Sequence, residues 1–194
     1  MIAYIAGKFA YKNPAVVFVD VQGVGYEVNI SLNTYSRIQH LDEGKLFTHL
    51  QIKEDAHTLF GFFDVEEKEM FVMLIGVSGI GAATARMMLS SMKPEEINRA
   101  ILQGNARLLE TVKGIGRKTA ERLVLELRDK VNKHPQDSGF QISAGNTLQR
   151  DALNALVALG IGRPVAEQAL NKITQADPSI TQLEDLIKKT LKSI

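Results

Sequence analysis

Val77-Ser78-Gly79-Ile80-Gly81-Ala82-Ala83-Thr84-Ala85 is answered later in the chain by Val112-Lys113-Gly114-Ile115-Gly116-Arg117-Lys118-Thr119-Ala120. Each stretch sets an apolar residue two places before Gly-Ile-Gly, and Thr-Ala at the same offset after it. The first glycines lie 114 − 79 = 35 residues apart, which marks an internal duplication of a helix–hairpin–helix unit. A Gly-x-Gly hairpin feeding a helix N-terminus aims bare backbone N–H groups outward. That arrangement holds a phosphate and reads no base sequence. A single copy is as easily a tight turn; two copies with the same flanks favour phosphate-backbone binding. The candidate DNA-binding residues are Ser78, Gly79, Ile80 and Gly81 in the first copy. In the second they are Lys113, Gly114, Ile115, Gly116, Arg117, Lys118 and Arg122.

The copies differ in charge. Lys113, Arg117, Lys118 and Arg122 surround the second, whereas the first has Ala82-Ala83, with Arg86 its nearest cation. The first is therefore expected to bind through backbone N–H groups and the second to add charge. From Val112 to His134 seven Lys/Arg stand against three acids, a local surplus of four cations. Neither copy is a nucleotide site. Thr84 and Thr119 replace the third glycine of a dinucleotide fingerprint, and Thr111 and Arg117 occupy the Gly and Lys places of a P-loop.

The whole chain has 194 residues and a net charge of only +1, so it is not a strongly basic non-specific binder. Its 45% hydrophobic and 23% charged content is that of globular domains. No run approaches the ~18 apolar residues of a membrane span, and Met1–Lys8 lacks the basic start of a signal peptide. Cysteine is absent, so disulfides and thiolate sites are excluded and a cytoplasmic protein is expected. The four histidines are scattered without metal-ligand spacing. No nucleophile pairs with a base, so no catalytic residues, metal or cofactor are expected.

Residues 1–63 read as β, with apolar runs at Ile2–Phe9, Ala15–Val21, Gly25–Ser31, Leu46–Ile52 and Thr58–Phe63. The turns between them carry Asn13-Pro14, Gln22-Gly23 and Asp42-Glu43-Gly44, and Asn33–Gln39 reads as a short helix. Five strands with a helix in that slot fit an OB-type barrel, and strand counting leaves an SH3-like barrel open. Residues 64–133 take helical period. Asp64 and Glu67 form a capping box, Pro94 opens a helix, Gly104 ends it, and Asn105 caps the next. The helix from Arg117 to Lys133 buries Leu123, Leu127 and Val131. Residues 134–147 lack any period and read as a flexible linker. Residues 148–194 read as three short helices, with Leu156, Val157, Val165, Leu170, Leu186 and Leu191 among their apolar positions and Ser179–Gln182 capping the third. The fold class is thus multidomain, β then α. An N-terminal barrel precedes a tandem helix–hairpin–helix domain, a linker and a C-terminal three-helix bundle small enough to exist for presenting a patch to a partner.

Glu54-Asp55 sits in the turn between strands four and five. A solvated hairpin tip is one reading. On a DNA-binding surface, two carboxylates there repel phosphate, which is a liability unless repulsion is useful.

This order of parts resembles the RuvA family of bacterial Holliday-junction branch-migration proteins, over essentially the whole chain. The most specific stretches are Gly23-Val24-Gly25-Tyr26-Glu27-Val28, Glu54-Asp55-Ala56 with Leu59-Phe60-Gly61-Phe62, Gly114–Leu123 and Ala155–Gly160. The resemblance implies an OB-fold barrel and a flat homotetramer, one or two to a junction, carrying a four-way DNA junction. Glu54 and Asp55 of each subunit would form an acidic pin at the crossover. The tail would dock the hexameric ATPase RuvB, with exposed apolar residues near Leu159, Ile161 and Leu170 as candidates beside the alternative that each is bundle core. The junction nuclease RuvC would be a further partner. The family commonly carries a lysine where Ala83 stands, which bears on a charged contact at hairpin one and not on its backbone contacts. Two rivals remain distinguishable. A helix–hairpin–helix glycosylase or nuclease needs a catalytic Lys, Asp or metal carboxylates beside the hairpin. A single-strand or RNA-binding OB protein needs aromatic platforms, and Phe9, Tyr11, Tyr26 and Phe47 are instead spread as core residues are.

Overall fold

The short apolar runs of residues 1–63 close into a five-stranded barrel. The structure, a computed structural model, describes residues 1–133, 144–177 and 180–193. Strands β1 (Tyr4–Lys12), β2 (Val16–Val21), β3 (Val24–Ile30), β4 (Glu43–Ile52) and β5 (His57–Phe62) are ordered β1-β2-β3-β5-β4, with β4 returning to β1. Neighbours are antiparallel except β3 and β5, which run parallel through Asn29↔Phe60 and Ile30↔Gly61. Helix α1 (Leu32–Ile38) fills the step from β3 to β4, and Ser31 caps it by accepting from the Thr34 N–H. This order and this helix are those of an OB barrel, which settles the choice against the SH3-like one.

Two strand ends lie three residues from the sequence reading, the others within two. β1 runs on to Lys12, because a register shift between Phe9 and Tyr11 lets Tyr11 and Lys12 pair with Phe18 and Val17. β4 starts at Glu43 inside the expected turn, because Glu43, Gly44 and Lys45 pair with Lys8, Gly7 and Ala6 to close the barrel. A distant partner strand outweighs local turn propensity there. Gly7 is the point of closest approach: a Cβ would stand 2.1 Å from the Asp20 carbonyl oxygen.

Five helices follow: α2 (Val65–Ile75), α3 (Ala82–Ser91), α4 (Pro94–Leu102), α5 (Ala106–Glu110) and α6 (Arg117–Lys133). Their core gathers Met70, Phe71, Leu74, Met88, Leu89, Ile97, Ile101, Leu109, Leu123 and Leu127, all fully buried. The caps are local chemistry. The Asp64 carboxylate accepts from the Glu67 N–H at 2.9 Å, Asn105 accepts from the Leu108 N–H at 3.2 Å, and Gly104 turns the chain at φ +69°. The capping box at α2 is only half made. The Glu67 side chain does not return to Asp64 but is buried against α1, where it accepts from the Ser31 hydroxyl and, at 2.6 Å, from that of Thr34.

The chain divides into two units, residues 1–135 and 136–194. The second holds α7 (Ala144–Ala158), α8 (Arg163–Ala176) and α9 (Leu183–Ser193), packed around Ala152, Leu156, Ala166, Leu170 and Leu186. Helix α7 begins at Ala144, so residues 144–147 of the expected linker are helical; residues 134–143 and the capping residue Ser179 lie outside the described residues. Val157, Val165 and Leu191, placed on apolar faces by their spacing, are exposed. Among the described residues no helix is long and apolar enough to cross a membrane.

Candidate nucleic-acid interface

The two Gly-Ile-Gly copies fold alike and share three equivalent backbone hydrogen bonds. In the first, the Val77 N–H donates to the Leu74 carbonyl, Ile80 to Val77 and Ala85 to Gly81, at 3.1, 3.1 and 2.9 Å. In the second, Val112 donates to Leu109, Ile115 to Val112 and Ala120 to Gly116, at 3.2, 3.1 and 3.0 Å. Gly79 and Gly114 hold φ of +91° and +93°, the left-handed region that glycine enters without strain. The apolar residues act as anchors: Val77, Ile80, Val112 and Ile115 are all buried. Ile80 and Ile115 therefore offer a ligand only their backbone. Ser78, Gly79, Gly81, Lys113, Gly114 and Gly116 are exposed beside them. Gly81 starts α3 with no side-chain cap. Among the described residues nothing accepts from the N–H groups of Gly79, Gly81, Gly114 or Gly116. Each copy thus presents unpaired donors at the positive end of a helix dipole.

The cations divide by what they already hold. Lys113 and Lys118 are exposed, and among the described residues no carboxylate lies within 4.0 Å of either. Arg117 is paired at 2.9 Å with Glu121, both exposed. The hydrogen bond to Glu121, then the charges of Glu121 and Glu110, raise its pKa further, so it stays protonated and is already engaged by a carboxylate. Arg122 reaches across to the other copy: its Nη1 donates to the Ser78 carbonyl at 3.4 Å, while its Nε lies 3.8 Å from Glu126. The neutral first hairpin is therefore supplied with a cation from α6. Arg86 is not that cation. It turns back onto the barrel, donating to the Ala15 carbonyl at 3.2 Å and Asn29 Oδ1 at 2.7 Å.

Glu54 and Asp55 occupy the exposed tip of the β4–β5 hairpin, closed by the Lys53 N–H on the Ala56 carbonyl at 2.8 Å. Among the described residues no group of three or more His, Asp or Glu side chains is placed to hold a metal ion.

The chain matches known protein families along its length. A family model for the RuvA N terminal domain matches residues 1–61, one for a SAM-like helix-hairpin-helix tandem matches 71–129, and one for the RuvA C-terminal domain matches 147–194. A curated protein of Cytophaga hutchinsonii named Holliday junction branch migration complex subunit RuvA is 48% identical, with 99% of each chain covered. Proteins of the same name from Flavobacterium psychrophilum and Christiangramia forsetii are 48% and 45% identical, over 100% of both chains. The chain belongs to the RuvA family.

In this member of the family the tail candidates separate by burial. Leu159 is exposed after α7, Ile161 packs partly against the tail core, and Leu170 is inside that core. Leu170 thus takes the bundle-core alternative, and its side chain is not available to a partner. Exposed Val157 and Val165 flank Leu159 in sequence and were hidden by their helical spacing. On the barrel, Phe9 is buried but Tyr11 is half exposed, its ring 5.1 Å from that of exposed Phe18. The bulge in β1 turns Tyr11 outward, contrary to its reading as core.

Proposed function

We propose that this chain is a non-catalytic, structure-selective DNA-binding subunit of a branch-migration complex. It grips the backbones of a four-way junction through its two hairpins and reads no base sequence. The single observation that carries the reading is the pair of hairpins with one hydrogen-bond pattern, buried isoleucines and outward unpaired N–H groups. The names of its relatives, subunits of a Holliday junction branch migration complex, support it.

In the full reading, four copies form a plate in the cytoplasm, with one or two plates per junction. Their eight tip carboxylates, Glu54 and Asp55 from each (2 × 4), repel phosphate at the crossover and keep exchanging strands apart. The C-terminal helices, through the apolar surface around Leu159, load the RuvB ATPase, which supplies the energy. RuvC meets the same plate. Each phosphate neutralised contributes about 0.9 to the negative slope of log affinity against log salt. In a gel shift at moderate salt, the chain is expected to bind a four-way junction far more tightly than linear duplex of the same arm sequence. Equal affinity for the two overturns the reading.

A further inference from the structure

The chain runs from the acidic tip to the first hairpin along one path. From Glu54-Asp55 it follows β5, turns through Phe63-Asp64, and follows α2 to the hairpin at residues 76–81. At about 3.3 Å per strand residue and 1.5 Å per helix residue, β5 and α2 are arms of about 20 and 16 Å. A small change in the bend between them moves the tip by several ångströms relative to the hairpin.

Glu67 stands one turn past that bend and is 3% exposed. Its partners are the N-cap and first turn of α1. The Ser31 hydroxyl donates to Oε1 and the Thr34 hydroxyl to Oε2. Each hydroxyl also accepts a backbone N–H at 3.0 Å: Ser31 from Thr34, and Thr34 from Phe63 in the bend itself. With their oxygens engaged, both hydroxyls aim their protons at Glu67, an arrangement that suits a carboxylate, acceptor on both oxygens. An amide would face one of the two hydroxyls with its own donor. One turn further on, Phe71 fills the other side of the bend, its ring 4.9 Å from those of Phe60 and Phe62 on β5. The same end of α1 also holds the helix beyond the hairpin. The Leu32 N–H donates to Ser90 Oγ at 3.0 Å, and Asn33 donates to the Leu89 and Met92 carbonyls at the end of α3.

We propose that Glu67 is a positioning residue for junction selectivity: with Ser31 and Thr34 it locks the β5–α2 bend and so fixes the acidic tip relative to the first hairpin. The inference rests on the function proposed above. It separates two roles that burial alone would merge, because loosening the bend leaves each hairpin intact and disturbs only its offset from the repelling tip.

The test compares the full chain with Glu67→Gln, Thr34→Ser, Ser90→Ala and Arg86→Gln in gel shifts on a four-way junction and a linear duplex, alongside thermal unfolding. Glu67→Gln is expected to unfold cooperatively and bind duplex within about twofold of the parent, while its preference for the junction falls about tenfold, the scale of one hydrogen bond to a charged group. Thr34→Ser keeps the hydroxyl and is expected to keep the parent preference. An unchanged preference in Glu67→Gln, or equal weakening on both substrates, overturns the inference. If Glu67→Gln does not fold, two contacts of α3 with the barrel decide: Ser90→Ala removes the acceptor of the Leu32 N–H beside Ser31, and Arg86→Gln the donor to Ala15 and Asn29. A drop of about two- to threefold in preference is expected from each, and no drop in either overturns the inference. A parent chain that itself shows no junction preference overturns the proposed function, and this inference with it; a selective parent with an equally selective Glu67→Gln overturns this inference alone.

Discussion

A methyl group added at Gly81 or Gly116 meets nothing within 4 Å, and neither residue has positive φ. Alanine at either is therefore expected to leave the unfolding midpoint nearly unchanged, or to raise stability by a few tenths of a kcal/mol through the unfolded state. In the proposed function its methyl would nevertheless stand where a phosphate is to approach the backbone, so junction binding should weaken. Gly79→Ala and Gly114→Ala also meet no neighbour, but their φ of +91° and +93° strains any L side chain by about 1–2 kcal/mol. They should lose stability as well as binding. Thermal unfolding beside gel shift separates the two classes, and a Gly81→Ala chain that binds as well as the parent would exclude that backbone from the contact. These glycines were legible because the motif states them twice. Arg122 was legible as a cation, but not as a group reaching Ser78, because that contact joins residues 44 apart in sequence. The engagement of Arg86 with the barrel was hidden for the same reason: its partners, Ala15 and Asn29, lie 71 and 57 residues away in sequence.

The element that departs most from its sequence pattern is α2. Asp64 and Glu67 have capping-box spacing, yet only Asp64 caps, because the barrel offers Glu67 two hydroxyl donors. Burial raises the pKa of Glu67 above its ordinary 4.5; Ser31 and Thr34 oppose this, the charge of Asp64 adds to it, and the Phe63 backbone opposes it. The folded chain thus holds this proton to higher pH than the unfolded chain does. The stability associated with protonated Glu67 is full below the unfolded value and is lost as pH rises through the folded one. Glu67→Gln does not titrate. Urea unfolding from about pH 4 to 7 should show a shallower fall in stability for the variant than for the parent; a constant difference across that range would contradict the burial-driven shift. The strands show the complementary case. Alternation located all five, but the start of β4 and the end of β1 were set by each other and by a bulge, which only the closed barrel reveals.

For the whole molecule, the order barrel, tandem hairpins and three helices could be read from shifts in period along the chain, and the family models divide it in the same order. Choosing OB over SH3-like required the parallel β3–β5 pairing, a contact about thirty residues long in sequence that no local pattern encodes. The tail's outward surface was harder to read, because apolar residues at helical spacing serve a small core and a docking patch equally well. Leu170 is core and Leu159 is exposed. Junction selectivity, in this reading, belongs to no single hairpin; it arises where phosphate-gripping hairpins surround a repelling tip. The most direct test is therefore to neutralise the tip, with Glu54→Gln and Asp55→Asn together, and to measure junction and duplex affinity beside the parent at the same salt. Tighter binding to both substrates with a narrowed gap between them is expected; weaker binding to every substrate would contradict repulsion as the source of selectivity.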